Sequence, residues 1–92
     1  MKIKVIYMSQ IRKAAGIGEE ALELNTPCTV QEFIKQNLCK RHPELEKFVL
    51  EQNGSLRSII LIFQGSIKVT EDTPRNLNDG DTITIMAPIT GG

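Results

Sequence analysis

The sequence predicts an α+β roll of the β-grasp kind, a mixed sheet of about five strands covered by one main helix. Three observations carry that prediction. Lys2 and Lys4 alternate with Ile3 and Val5, the period-two pattern of a strand with one buried face. Thr29-Val30-Gln31-Glu32 has the residues of a capping box immediately before an apolar stripe of helical spacing. The second half of the chain holds β-branched runs separated by Asn53-Gly54, Gln64-Gly65-Ser66 and Asp79-Gly80, each a turn signal. The resulting order β, short α, β, α, β, β, β leaves one helix long enough to cover the sheet. The pattern leaves the pairing of the first and last strands open.

Taken in order, the first strand covers residues 2–7, and Ser9 is placed to cap a short helix in which Ile11, Ala14 and Ala15 share a face. Gly16 supplies the left-handed residue that ends it. A return strand follows with Leu22 and Leu24 facing in. In the main helix the Thr29 hydroxyl can accept from the Glu32 amide while the Glu32 carboxylate reaches back to the Thr29 amide. Cys28 and Phe33 flank that box at the spacing of a hydrophobic staple, Val30, Phe33, Ile34 and Leu38 form the buried stripe, and Pro43 ends the helix near His42. Leu45, Phe48 and Val49 suggest one or two further turns. The apolar run 58–63 is expected to be the central strand, since a strand buried on both faces reads as continuous hydrophobics. Gln64-Gly65-Ser66 turns the chain into 67–69, and Asp79-Gly80 launches a last strand with Ile83 and Ile85 inward. The domain is expected to span 1–86, with 87–92 as a flexible C-terminal tail.

Ninety-two residues with 40 % hydrophobic content supply one core and one domain. Eleven basic and eleven acidic side chains cancel, so no long-range field favours a phosphate backbone or an anionic lipid surface, and neither nucleic acid nor membrane is an expected partner. The N-terminus lacks a secretory pattern and no apolar stretch approaches the roughly 20 residues of a membrane span, which points to a cytoplasmic location. Cys28 and Cys39 have no CxxC spacing and read as small core hydrophobes.

The inventory of catalytic groups is thin. His42, at a helix end, reads as a residue that interacts favourably with the helix dipole, and no chemistry is assigned to it. Asp79 and Asp81 flank a turn glycine and read as turn residues rather than metal ligands. Gly16-Ile17-Gly18 lacks the third glycine and the strand-to-helix context of a dinucleotide loop. The chain is therefore expected to bind no cofactor or metal of its own.

The C-terminus is different. Ala87-Pro88-Ile89-Thr90-Gly91-Gly92 begins where the last strand ends, and Pro88 cannot continue a ladder. These six residues, at about 3.3 Å each, can extend roughly 20 Å. Two residues without side chains let a backbone pass a narrow channel and present an unhindered carboxylate to a nucleotide, where it can attack the α-phosphate of ATP and become an acyl adenylate. From average glycine usage, two terminal glycines arise by chance on the order of 0.5 % of the time. A reactive end explains them better than a frayed one.

Gln10-Ile11-Arg12 after the first strand, Leu77-Asn78-Asp79-Gly80-Asp81 before the last, and Pro88-Ile89-Thr90-Gly91-Gly92 at the end give the chain a resemblance to a known family. It resembles the MoaD/ThiS family of ubiquitin-like sulfur carriers, most closely its MoaD branch, the small subunits of molybdopterin synthase. The resemblance covers essentially the whole chain, and its specific parts are the Gly-Asp turn and the Pro-x-x-Gly-Gly end. It implies the ubiquitin-like β-grasp fold and a protein that is not itself an enzyme. A MoeB/ThiF-like E1 adenylyltransferase would activate the carboxylate of Gly92 with ATP, and a sulfurtransferase would supply sulfur. The Gly92 thiocarboxylate would then enter a MoaE-like large subunit and pass sulfur to cyclic pyranopterin monophosphate.

In the family a few apolar residues on the exposed sheet face bind those partners, and the resemblance carries that role to Met8, Ile67 and Met86. Ala87, Pro88, Ile89 and Thr90 would continue the contact, with Gly91 leading to the reactive Gly92. Methionine stands at positions 8 and 86 where aromatic residues are common, and Ala87 where a first proline is usual. A ThiS-like carrier for thiamin, a carrier for cysteine or another sulfur metabolite, and a lysine-conjugating modifier share the same end. A β-grasp interaction module with an inert tail is the alternative from another class.

Overall fold

The computed structural model describes residues 1–88; the expectations placed on Ile89, Thr90, Gly91 and Gly92 lie outside the described residues. Strand β1, Lys2–Met8, buries Ile3, Val5 and Tyr7 and turns Lys2, Lys4, Ile6 and Met8 to the other face, as its alternation requires. Helix α1, Gln10–Ala15, follows directly and buries Ile11. Gly16 ends it at φ 81°, its amide donating to the Arg12 carbonyl at 2.9 Å. Ser9 does not cap this helix through its side chain. The chain passes from strand to helix with no intervening loop, and Ser9 takes φ 58°, a positive value that costs a non-glycine residue about 1–3 kcal/mol.

Strand β2, Glu19–Glu23, pairs antiparallel with β1. The main helix then runs in three consecutive pieces: α2, Val30–Phe33; a π-helical turn, Ile34–Leu38; and α3, Cys39–Arg41. The capping box is formed in full, with the Thr29 hydroxyl accepting from the Glu32 amide at 3.1 Å and the Glu32 carboxylate from the Thr29 amide at 3.0 Å. In the widened turn the Cys39 amide donates to the Ile34 carbonyl, five residues back. That shift of phase lets the consecutive residues Leu38 and Cys39 both face inward. Helix α4, Leu45–Val49, buries Leu45 and Val49 and leaves Phe48 part-exposed.

Three more strands complete the sheet: β3, Leu61–Gln64; β4, Ile67–Lys68; and β5, Thr82–Met86. The order is β2-β1-β5-β3-β4, with β1 and β5 parallel and the other pairs antiparallel. The expected central strand is thus corrected on two counts. The ladder begins only at Leu61, because Ile60 closes a turn through its amide to the Arg57 carbonyl and Ile59 is turned outward. The middle of the sheet is β5, between β1 and β3. A continuous apolar run suggested burial on both faces, yet only one face of β3 is covered: Ile62 is buried and Leu61 and Phe63 are part-exposed.

The long segment between β4 and β5 has no regular structure and is held by side chains from the body. Gln31, buried in α2, donates from Nε2 to the carbonyls of Thr70 and Thr73 at 2.7 and 2.8 Å. Gln64, buried in β3, donates to the Asn76 carbonyl and the Asp81 carboxylate, both at 2.8 Å, and its Oε1 accepts from Arg75 Nε at 2.8 Å. Asp79 accepts from the Lys2 amide at 2.7 Å and Asp81 from the Asn78 amide at 2.8 Å, so both carboxylates work as turn residues. These bonds fix where β5 starts, and therefore where the C-terminus leaves the sheet. One face of the sheet packs Ile83, Ile85 and Ile62 against Phe33, Ile34 and Leu38 of the helix; the other is open.

Candidate functional site

Strand register builds the open face in rows, because directly paired residues project to the same side. Met8 pairs with Met86, and Met86 pairs with Leu61, giving an apolar row at the end of the sheet where β5 runs out. The next row is Ile6, Thr84, Phe63 and Lys68. Met8 is 43 % exposed, while Ile6, Leu61, Phe63 and Met86 are each part-exposed. The exposed apolar side chains thus lie side by side rather than singly scattered over the surface.

Of the residues expected to bind partners, Met8 and Met86 are neighbours on this face. Ile67 is 46 % exposed but pairs with Gln64, whose side chain is buried on the helix side, so the register turns Ile67 to that side at the sheet edge, away from the methionine row. Ala87 is buried in the core cluster at 8 % exposure, which extends the packed body one residue past the expected boundary at 86. Its side chain is turned away from the open face. Pro88 follows, half-buried, as the last described residue. Leu61, Phe63 and Ile6 were not singled out from sequence, because Leu61-Ile62-Phe63 is continuously apolar and only the burial pattern shows which residues face out.

A second cluster was also missed. Glu20, in β2, accepts from the Tyr7 hydroxyl at 2.6 Å, from Arg41 at 2.8 Å, and from His42 Nε2 at 2.6 Å. The carboxylate has no proton to give, so the imidazole donates. Tyr7 and His42 also meet edge to face, their ring centroids 5.6 Å apart. Burial raises the Glu20 carboxyl, but the three donors together outweigh it and hold the group below the usual glutamate range. Burial, then the bond to Glu20, pushes the Tyr7 phenol well above its ordinary value. His42 therefore acts as a brace between the end of the main helix and the edge strand.

Both cysteines are free, Cys28 half-buried and Cys39 buried. Burial, with the charge of Glu46, pushes the Cys39 thiol up to about 11, and burial followed by Glu32 raises Cys28, so neither is poised as a nucleophile. Among the described residues no group of three or more His, Cys, Asp or Glu is arranged to hold a metal ion. No helix among them is long and apolar enough to cross a membrane.

The ThiS family matches residues 5–92, nearly the whole chain. The chain belongs to the ThiS family. Along all 92 residues it is 27 % identical to the molybdopterin synthase sulfur carrier subunit of Chlamydomonas reinhardtii, with both chains covered in full. The putative molybdopterin converting factor subunit 1 of Pyrococcus furiosus superposes at a TM-score of 0.74 with 26 % identity, over 97 % of this chain and 99 % of that one. SAMP1 of Haloferax volcanii superposes at 0.88 over both whole chains; at 20 % identity that likeness speaks to fold alone. The ThiS-family fold is thus the ubiquitin-like β-grasp, and the chain is a small ubiquitin-like protein of the sulfur-carrier family, whose members are not catalysts themselves.

Proposed function

We propose that this protein carries sulfur on its C-terminal carboxylate for molybdopterin synthesis, as the small subunit of molybdopterin synthase. The observation that carries the reading is the full-length match to a molybdopterin synthase sulfur carrier subunit by a chain that itself ends in Gly91-Gly92. In the cytoplasm an E1-like adenylyltransferase binds the open face and takes the tail into its nucleotide site. The Gly92 carboxylate oxygen attacks the α-phosphate of ATP and pyrophosphate leaves. The outer sulfur of a sulfurtransferase persulfide then displaces AMP to give an acyl disulfide, and a second thiol cleaves its S–S bond, leaving the thiocarboxylate on Gly92 and a disulfide on the donor side. ATP belongs to the activating enzyme; the carrier contributes no acid, base or metal.

The thiocarboxylate then enters a MoaE-like large subunit, which uses the same face. Met8 and Met86 form the centre of that contact with Leu61 beside them, Ile67 being turned to the helix side, and Pro88, Ile89 and Thr90 lead Gly91 and Gly92 inward. Methionine suits such a role because its unbranched, polarisable side chain adapts to more than one partner. Ala87, buried at the root, anchors the tail rather than touching the partner.

The test is chemical. Incubation with a MoeB-like enzyme, ATP and a sulfur donor is expected to raise the intact mass by about 16 Da as oxygen is exchanged for sulfur. Adding a MoaE-like subunit and cyclic pyranopterin monophosphate is expected to return the mass to its starting value. A thiocarboxylate that persists in that mixture, but is consumed by a thiazole synthase, would move the acceptor to the thiamin branch.

A further inference from the structure

On the other flank of the tail root lies a feature that the open face does not include. Leu45 and Val49 face the core from α4, which leaves Phe48 between them turned outward and 37 % exposed. Ile59, in the turn before β3, is 53 % exposed. The two line one cleft of about 150 Å³ together with Gln10, Arg57 and Pro88. Arg57 is the sole charged residue of that lining. Its guanidinium is held at the rim, donating to the Lys47 carbonyl at 3.3 Å and lying 3.8 Å from Glu51. The volume is below the roughly 300 Å³ at which small-molecule pockets begin, and suits one side chain.

The length of chain beyond Pro88 says what comes near. Four residues follow it, and at about 3.3–3.6 Å each they reach at most about 14 Å. Any protein that holds the Gly92 carboxylate in a nucleotide site must therefore close on the collar around Pro88. One side of that collar is the Met8–Met86–Leu61 row; the other is the Phe48–Ile59 cleft.

We infer that the Phe48–Ile59 cleft is a second docking site for the enzyme that adenylates Gly92, which seats one apolar side chain there with a carboxylate beside it facing Arg57. Burial of an aliphatic or aromatic plug against two exposed apolar side chains supplies the attraction, and the rim charge sets the orientation. The inference rests on the carrier reading. It adds a contact that fixes the tail root from both sides, so that the short span to Gly92 enters the nucleotide site in one direction.

Steady-state pyrophosphate release by a MoeB-like enzyme, with the full-length chain as the varied substrate, tests it. Phe48→Ser, Ile59→Ser and Arg57→Glu are each expected to raise KM about tenfold with kcat within about twofold, while Arg57→Lys stays near the wild type. Ile17→Ser, at an equally exposed apolar residue outside the cleft, is expected to leave KM unchanged. Melting temperatures separate these effects from misfolding, and Arg57→Glu keeps the test open if Phe48→Ser unfolds. Unchanged KM in both Ile59→Ser and Arg57→Glu, with brisk turnover of the wild type, overturns the cleft and leaves the carrier reading intact. Weakened binding to a MoaE-like subunit with unchanged adenylation KM assigns the cleft to a different occupant and equally overturns it. Failure of the wild type to turn over, where the enzyme activates another carrier, removes the carrier reading and the inference together.

Discussion

On the helix-covered face of the sheet Ile3, Val5, Ile83 and Ile85 are fully buried, and no buried side-chain polar atom among the described residues lacks a partner. On the open face of the same strands Met8 is 43 % exposed beside a part-exposed Met86, Leu61, Phe63 and Ile6. Strands β1, β3 and β5 alternate, so each serves both faces with successive residues. Stability is therefore built by one set of positions, and the set interleaved with it is left open for the partner contact we propose. Substitutions one residue apart are expected to have opposite consequences, and that contrast can be broken or sharpened by measurement.

The largest effect on folding belongs to Ile85→Ala, a fully buried residue of the middle strand, which is expected to cost about 2–5 kcal/mol by denaturant unfolding. Its neighbour Met86→Asp is expected to cost less than about 1 kcal/mol, yet to abolish detectable capture by a MoaE-like subunit. Equal losses of stability at both positions would erase the distinction between the faces.

Much of this division was legible in the sequence, and the reasons are local. The period-two run in β1, the inward Ile83 and Ile85, the capping box at Thr29 and the left-handed Gly16 each depend on residues within a turn of one another. What was missed depends on contacts between distant segments. The run 58–63 could not reveal that β5 would occupy the middle, since strand order is set by pairing across the chain. Ile67 looked like a surface residue and is one, but only its pairing with Gln64 shows which side of the sheet it lies on. His42 read as a helix-end residue, yet its brace to Glu20 joins residues 22 apart, and nothing around Glu20 marks it as facing inward. The Gly-Gly end was conspicuous because its signal is composition at a fixed place.

The Glu20 cluster offers an intermediate effect. Glu20→Gln replaces a charge-accepting centre and is expected to cost about 1–3 kcal/mol at neutral pH. The acid limb follows from the direction of the shift. The folded-state value of Glu20 lies below the unfolded one, so its contribution is full above the ordinary glutamate range and is lost as pH falls through the folded value. Glu71, held low by Lys35 against the opposing effect of burial, adds in the same direction. The wild type is thus expected to lose stability below about pH 4.3 more steeply than Glu20→Gln does. At the other end, the raised Tyr7 phenol means that stability falls as pH rises above about 10, a limb that Tyr7→Phe should flatten. Unfolding free energies across the pH range read both limbs.

Thr29→Ala gives the smaller change, about 1 kcal/mol, because it frees one end of the main helix without opening the core. It is expected to leave adenylation kinetics unaltered, whereas a change in KM would mean that the helix end belongs to the partner surface.

The central claim is that the folded body is a handle and that the chemistry takes place on the last carboxylate. Intact-mass measurement of the wild type and of a chain lacking Gly92, side by side with a MoeB-like enzyme, ATP and a sulfur donor, tests it most directly. The account predicts a gain of about 16 Da on the wild type and none on the shortened chain. A mass gain on the shortened chain, or none on the wild type under conditions that load another carrier, would contradict it.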